Sequence, residues 1–138
     1  MSTPHKNKAF ATLLALLLGA VGAHRFYLRG SLDKLALLHL ASVPMTGMVI
    51  GLSPESDWFW KLLPLIISGM IAFLEAMILG LMPDAKFDAA YNPASGKASA
   101  SSWMLAVLLV AAMVFGATGS IFVLARAVAL LSTGNADG

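Results

Sequence analysis

The chain has 138 residues, of which 59% are hydrophobic and 12% are charged, and its formal net charge is +2. Soluble domains carry roughly twice that share of charge, so the composition disfavours a soluble protein and indicates an integral membrane protein. The nine Lys and Arg residues are scattered singly, which argues against nucleic acid as a partner. Because cysteine is absent, disulfide and thiolate chemistry are excluded.

Four apolar segments follow one another and predict an all-α integral membrane bundle of about four transmembrane helices. A compact domain over residues 6–92 is expected to contain helices at about 9–28, 35–52 and 58–82. Residues 93–102, rich in Ser, Ala, Gly and Pro, read as a linker. An additional transmembrane helix is predicted over residues 103–131.

The N-terminus also has the pattern of a secretory signal peptide. Lys6 and Lys8 precede an apolar run that ends at Ala23, where a small residue would allow cleavage. A multi-helix membrane chain would remain after such a cut. We therefore keep the first segment as a membrane helix and the signal peptide as the alternative.

Small residues in the first and third segments predict close helix packing. Gly19 and Gly22 lie in the first segment, and Ala72, Ala76 and Gly80 lie in the third, where they recur every four residues. In lipid, faces of small side chains let helix backbones approach closely. We therefore expect the first and third helices to pack against each other.

Glu75 lies inside the third apolar segment, where a charged side chain costs on the order of 2.5–3.5 kcal/mol. If the first three segments all span, His24, Arg25 and His39 share a membrane layer with Glu75. We expect an Arg25–Glu75 or His39–Glu75 contact, as a structural clamp or as part of a proton or ion relay. His39 and Glu75 form the predicted intramembrane polar cluster.

The sequence contains no pattern typical of a catalytic centre. It lacks a nucleophile elbow, a phosphate-binding glycine loop and a metal-spaced histidine pair. We therefore predict no enzyme activity, no catalytic residue, no cofactor and no metal.

The stretch GAVGAHRFYLRG, residues 19–30, resembles the polar corner of the TM-2 domain family of small membrane proteins. Trp60 and Glu75 resemble the second family helix, and FDAAYNP from Phe87 resembles a closing stretch of bacterial members. Arg29 stands where the family usually has glycine. The resemblance implies a non-enzymatic protein of the bacterial inner membrane, and the corner residues that match it are His24, Arg25, Phe26 and Tyr27.

These patterns favour a multi-pass membrane protein that acts as a helix-packing interaction, scaffold or signalling module. Its expected partners are the lipid bilayer and other membrane proteins or a second copy of the chain. The alternative is a small transporter or channel subunit that uses Glu75 and His39.

The predicted helices divide the basic residues almost evenly between two membrane sides. The positive-inside rule then only slightly favours a cytoplasmic corner with both termini outside. The corner side holds Arg25, Arg29, Lys34, Lys86 and Lys97, and the other side holds Lys6, Lys8, Lys61 and Arg126.

Overall fold

A computed structural model describes residues 3–134, and every regular element among them is helical. The predicted all-α membrane bundle is thereby confirmed. A 3₁₀ turn, Gly19–Val21, separates the first two helices. The six α-helices are α1 (Lys8–Leu18), α2 (Ala23–Arg29), α3 (Lys34–Leu52), α4 (Trp58–Leu81), α5 (Asp84–Tyr91) and α6 (Trp103–Thr133).

Three of these helices, α3, α4 and α6, are long and apolar enough to cross a membrane. With 19 residues, α3 is about 29 Å long, which matches the hydrocarbon core of a bilayer. The apolar run Lys8–Val21 is shorter and extends only about 21 Å. The predicted count of about four spans therefore becomes three long helices and one short apolar segment.

The first apolar segment folds back on itself instead of forming one helix over residues 9–28. Gly22 follows the 3₁₀ turn with φ 79°, a left-handed conformation that glycine adopts at little cost. α2 then returns along α1, and the Tyr27 hydroxyl accepts the Asn7 N–H at 2.8 Å. The Tyr27 and Phe10 rings pack edge to face, with centroids 5.1 Å apart. We call α1, the turn and α2 the hairpin, and residues 19–22 its tip.

The tip of the hairpin reaches the middle of α4. At the start of α1, Lys8 Nζ donates to the Met82 carbonyl, just past the end of α4, at 2.8 Å. In the tip, the Ala20 carbonyl accepts the Ser68 hydroxyl at 2.6 Å. Since Ser68 lies near the centre of α4, the hairpin enters the bundle halfway and returns to the end where it began.

The hairpin places the N-terminal residues and the α2–α3 connection at the same end of the bundle, which we call the basic end. The expectation that the first segment crosses to the opposite side is therefore wrong, because its tip stops beside Ser68. Five basic residues were expected at this end, whereas the structure gathers seven of the nine there: Lys6, Lys8, Arg25, Arg29, Lys34, Lys86 and Lys97.

α6 packs against α4 in the opposite direction and completes the bundle. Near the start of α6, the Ser101 N–H donates to Asp84 at 2.8 Å. Towards its end, Arg126 Nη2 donates to Asp57 at 2.9 Å. We call the end marked by Asp57 and Arg126 the far end.

The predicted small residues of α4 lie at helix contacts. Gly19 packs so closely on Ala72 that a Cβ at Gly19 would lie 2.4 Å from the Ala72 Cβ. Ala76 is fully buried among alanines of α1 and α6. Gly80 faces Leu109 of α6 and not α1. The small residues of α4 therefore pack against both the hairpin and α6, whereas the sequence pattern indicated packing against the first helix alone.

Candidate functional site

Three side chains converge on the carboxylate of Glu75 inside the bundle. His24 Nε2 lies 2.6 Å from Oε2, and His39 Nε2 lies 3.1 Å from the same oxygen. Arg25 Nε donates to Oε1 at 2.7 Å, and Arg25 Nη2 makes a second hydrogen bond to Oε1. We call His24, Arg25, His39, Ser68 and Glu75 the Glu75 cluster.

Helix geometry explains how distant residues meet in this cluster. The turn at Gly22 directs the first turn of α2, which carries His24 and Arg25, towards α4. Ser68 and Glu75 are seven residues apart, so they lie on one face of α4. His24 is 1% exposed and the Glu75 side chain is 14% exposed, so the hairpin, α3 and α4 cover most of the cluster.

Asp33 extends the cluster towards the basic end. Its carboxylate caps α3 by accepting the Ala36 N–H at 2.9 Å, and Oδ2 lies 3.5 Å from Arg25 Nη1. Arg25 therefore bridges carboxylates of two different elements. Hydrogen bonds between ionised groups are about twice as strong as neutral ones, so Arg25 joins α2, the start of α3 and α4.

Ser68 connects the cluster to the tip of the hairpin. Its Oγ lies 2.6 Å from the Ala20 carbonyl oxygen and 2.7 Å from His39 Nδ1. The Ser42 hydroxyl donates to the same carbonyl at 3.3 Å. In lipid no water can satisfy a backbone carbonyl at a helix break, so α3 and α4 supply its partners.

The cluster also groups potential metal ligands. His24, His39 and Glu75 each offer one ligand atom, and these atoms lie within 4.8 Å of one another. Two imidazoles and a carboxylate are a donor set that zinc accepts. His24 and His39, which are isolated from each other along the sequence, therefore lie close together in the folded chain. The arrangement can hold the hairpin in place and can bind a proton or a cation.

A groove of about 310 Å³ opens between α3 and α4 beside the cluster. His39, Ser42, Ser68 and Glu75 form its polar wall, and apolar side chains of both helices form the remainder. Thr46 lies further along α3, is 7% exposed, and its hydroxyl has no hydrogen-bond partner in the described part of the chain. Buried polar side chains thus continue along α3 beyond the cluster.

A second set of polar contacts fastens the hairpin at the basic end. Lys8 Nζ lies 2.5 Å from Asp84, and this ion pair, together with hydrogen bonds from Ser101, lowers the pKa of Asp84 to about 2. A hydrogen bond from the Asn92 side chain lowers the pKa of Asp88. Both carboxylates are therefore ionised at neutral pH and tie α5 to its surroundings.

The structure brings together most of the residues that the sequence singled out. Arg25 and His39 both contact Glu75, where the sequence left the two contacts as alternatives. His24, expected only in the same layer, bonds to Glu75 as well. Tyr27 instead closes the hairpin against Asn7, and Phe26, half-buried on the same helix, lies outside the cluster.

Sequence reasoning misses Asp33 and Ser68, although each has a recognisable pattern. Asp33 directly precedes an apolar helix, the position of an N-cap. Ser68 precedes Glu75 by two helical turns and therefore shares its face. A search for polar residues on the Glu75 face would have found Ser68, whereas the contact of Asp33 with Arg25 depends on the hairpin.

Residues 4–52 match the family model of the TM2 domain. This match confirms the resemblance to the TM-2 domain family over the hairpin and α3. The segments around Trp60, Glu75 and Phe87, which the resemblance assigned to the second family helix and the closing stretch, lie outside the matched residues. Neither a curated protein nor a solved structure matches the chain significantly.

Proposed function

Starting from the TM2 domain in residues 4–52, we propose a non-enzymatic, multi-pass protein of the bacterial inner membrane that acts as an interaction module. The chain crosses the bilayer with α3, α4 and α6. The hairpin enters from one side, reaches the middle of the membrane and returns.

The distribution of charge supports a cytoplasmic basic end. Seven of the nine Lys and Arg residues lie at this end, and cytoplasmic segments carry the excess of Lys and Arg in membrane proteins. The N-terminal residues are then cytoplasmic, and α6 ends on the outer side. If the first helix spanned the membrane, the Lys and Arg residues would be divided almost evenly between the two sides. The hairpin replaces that even division with a clear excess at the basic end.

The interaction role is supported by the fact that both carboxylate oxygens of Glu75 already have hydrogen-bond donors within the chain. Both carboxylate oxygens already accept hydrogen bonds from the hairpin or from α3, so the cluster acts as a clamp on the fold. In contrast, α6 buries only Leu105, Ala112 and Leu130 among its described residues. Large apolar side chains of this helix, among them Val114, Phe115 and Ile121, are half or more exposed and can contact lipid, another membrane protein or a second copy.

Site-specific photo-crosslinking in native membranes tests the interaction role. A crosslinking residue replaces Phe115, which is 62% exposed on α6, or Ala112, which is fully buried on the same helix. We expect one discrete protein adduct from position 115 and none from position 112, because only the exposed face reaches a partner. A further variant carries the crosslinking residue in place of Phe26 in the corner. Adducts with lipid alone at both position 115 and position 26 would contradict the proposal.

The polar stripe on α3 favours a second candidate, a small transporter or channel subunit. His39, Ser42 and Thr46 are all buried on this helix, and the first two line the groove beside Glu75. Reconstitution in liposomes separates the two candidates. Proton or ion flux that disappears in His39→Gln supports transport and overturns the interaction role, whereas flux equal to that of protein-free liposomes leaves the interaction role standing.

A further inference from the structure

Arg29, in the last turn of α2, has no carboxylate partner in the described part of the chain. Its guanidinium lies over the Tyr91 ring instead, with Cζ 5.4 Å from the ring centroid. The carboxylates in this half of the bundle already have polar partners within the chain: Asp33, Glu75, Asp84 and Asp88. Arg29 therefore keeps its charge and its hydrogen-bond donors for an anion from outside the chain.

Two cavities share Arg29 and Tyr91 in their walls. The larger cavity, of about 910 Å³, lies between the N-terminal segment, α2 and α5, and Lys6 and Leu32 also line it. The smaller cavity, of about 120 Å³, extends to α4, where Ile78 lines it. A ligand at Arg29 can therefore reach both the basic end and the outer surface of α4.

The fold holds Lys6 and Tyr91 in place before any ligand binds. The Lys6 N–H donates to Asn92 Oδ1 at 2.7 Å, and Asn92 Nδ2 donates to the Lys6 carbonyl at 3.0 Å. Lys6 Nζ donates to the Leu28 carbonyl, and an ammonium group has two more hydrogens to offer. The Tyr91 ring packs on the fully buried Phe87, with centroids 5.0 Å apart. Preorganisation of this kind reduces the entropic cost of binding.

Both cavities lie where the membrane-spanning helices end. α3 begins at Lys34 and α4 ends at Leu81, and lipid headgroups flank the hydrocarbon core at such helix ends. Leu32 in the larger cavity is 87% exposed, and Ile78 in the smaller one is 61% exposed. Cations next to exposed apolar side chains match a ligand that has a charged head and hydrocarbon chains.

We propose that these two cavities form a binding site for one anionic phospholipid. Arg29 and Lys6 hold the phosphate, and Leu32 and Ile78 contact the hydrocarbon part. Guanidinium groups form strong, often paired hydrogen bonds with phosphate, and basic pockets beside spanning helices suit anionic headgroups. The inference goes beyond the proposed interaction role and requires only that α3 and α4 span the membrane.

The charges around the cavities favour an anionic lipid over a zwitterionic one. A choline group is a cation, and it binds to carboxylates and to the faces of aromatic rings. The carboxylates in the two walls, Asp33 and Glu75, both already bond to Arg25. Arg29 covers one face of the Tyr91 ring. A choline group would therefore meet like charge and find its binding partners already engaged.

Native mass spectrometry of the full chain, released from detergent micelles, tests the proposal because it counts bound lipids one by one. We expect one phosphatidylglycerol molecule to bind more tightly than phosphatidylcholine with the same acyl chains. Arg29→Gln should weaken phosphatidylglycerol binding about fivefold, the equivalent of about 1 kcal/mol for one cation near an anionic headgroup. Equal affinity of the unaltered chain for the two lipids would overturn the proposal.

Lys97→Gln is the matched control for Arg29→Gln. It also removes one positive charge at the basic end, but Lys97 lines neither cavity. We expect this variant to bind phosphatidylglycerol as the unaltered chain does. Equal losses of affinity in the two variants would mean diffuse attraction to the basic end and would overturn a defined site.

Two further measurements examine the ligand and the role of the Arg29 charge. Glycerol phosphate, which carries the phosphate without acyl chains, should not displace the lipid when both are present at the same concentration. Displacement would mean that phosphate alone is recognised and would overturn a lipid site. Arg29→Lys keeps the charge but loses the planar group that stacks on Tyr91, so we expect an affinity between those of the unaltered chain and Arg29→Gln. An affinity as low as that of Arg29→Gln would contradict the role given to the charge.

Discussion

Replacement of Glu75 with glutamine is expected to destabilise the protein by about 3–5 kcal/mol, the usual cost of breaking a buried ion pair by removal of one partner. Glu75 accepts from His24, Arg25 and His39, and the side chain is only 14% exposed. The amide keeps the shape but leaves the Arg25 charge without its main counter-ion. Unfolding in mixed micelles and the protein level in the membrane measure the effect.

The Asp57–Arg126 pair at the far end provides the control for Glu75. Asp57→Asn removes a charge from a pair joined by one hydrogen bond, from Arg126 Nη2 to Asp57 Oδ2 at 2.9 Å, and asparagine still serves as the N-cap of α4. Arg126 lies near the end of its helix and can extend towards water. We expect at most about 1 kcal/mol of destabilisation. If Glu75→Gln costs no more than Asp57→Asn, the cluster is not a clamp.

Gly22→Ala is expected to displace the hairpin from α3. The left-handed backbone conformation alone costs a non-glycine residue about 1–2 kcal/mol. A Cβ at this position would also lie 2.8 Å from the Ala36 carbonyl oxygen and 3.0 Å from the His39 Cβ. The first of these atoms belongs to the backbone, so the helix itself must move. We expect a loss of stability larger than the conformational cost and weaker contact of His39 with Glu75.

Gly47→Ala is the matched control for Gly22→Ala. Gly47 lies inside α3, and a Cβ there would meet no atom within 4 Å. Alanine in a helix interior is better than glycine by about 0.5–1 kcal/mol, so this variant should be as stable as the unaltered chain or more stable. Equal stability of the Gly22→Ala and Gly47→Ala variants in the same unfolding assay would refute a close contact at the tip.

The helical fold and two of the three partners of Glu75 follow from the sequence, because helix formation depends on the solvent and the pairing depends on charge. A carboxylate inside an apolar helix requires partners wherever that helix lies, and Arg25 and His39 are cationic or titratable groups of neighbouring segments. Apolar content and segment length were sufficient to predict helices over most of the chain. The contact with Glu75 was predicted on the premise that the first segment spans, and it forms although that segment is a hairpin, because the corner lies at the same end of the bundle in both paths.

The path of the first segment could not be predicted, because it depends on the conformation of one residue. The apolar pattern runs through Gly22 without interruption, and glycine is compatible with a helix as well as with a turn. The contacts that favour the turn are tertiary: Asn7 with Tyr27 and Ala20 with Ser68. The wrong path placed Lys6 and Lys8 on the wrong side and obscured the charge asymmetry.

Cysteine accessibility in sealed membranes tests the central claim, a hairpin that enters the bilayer halfway and returns. The chain has no native cysteine, so single cysteines at Thr3, Ser31 and Glu55 report on the N-terminal segment and on two loops without background. We expect a membrane-impermeant thiol reagent to label positions 3 and 31 from the cytoplasmic side and position 55 from the outer side. Labelling of positions 3 and 55 from one side, with position 31 on the other, would mean that the first segment crosses the membrane and would contradict the account.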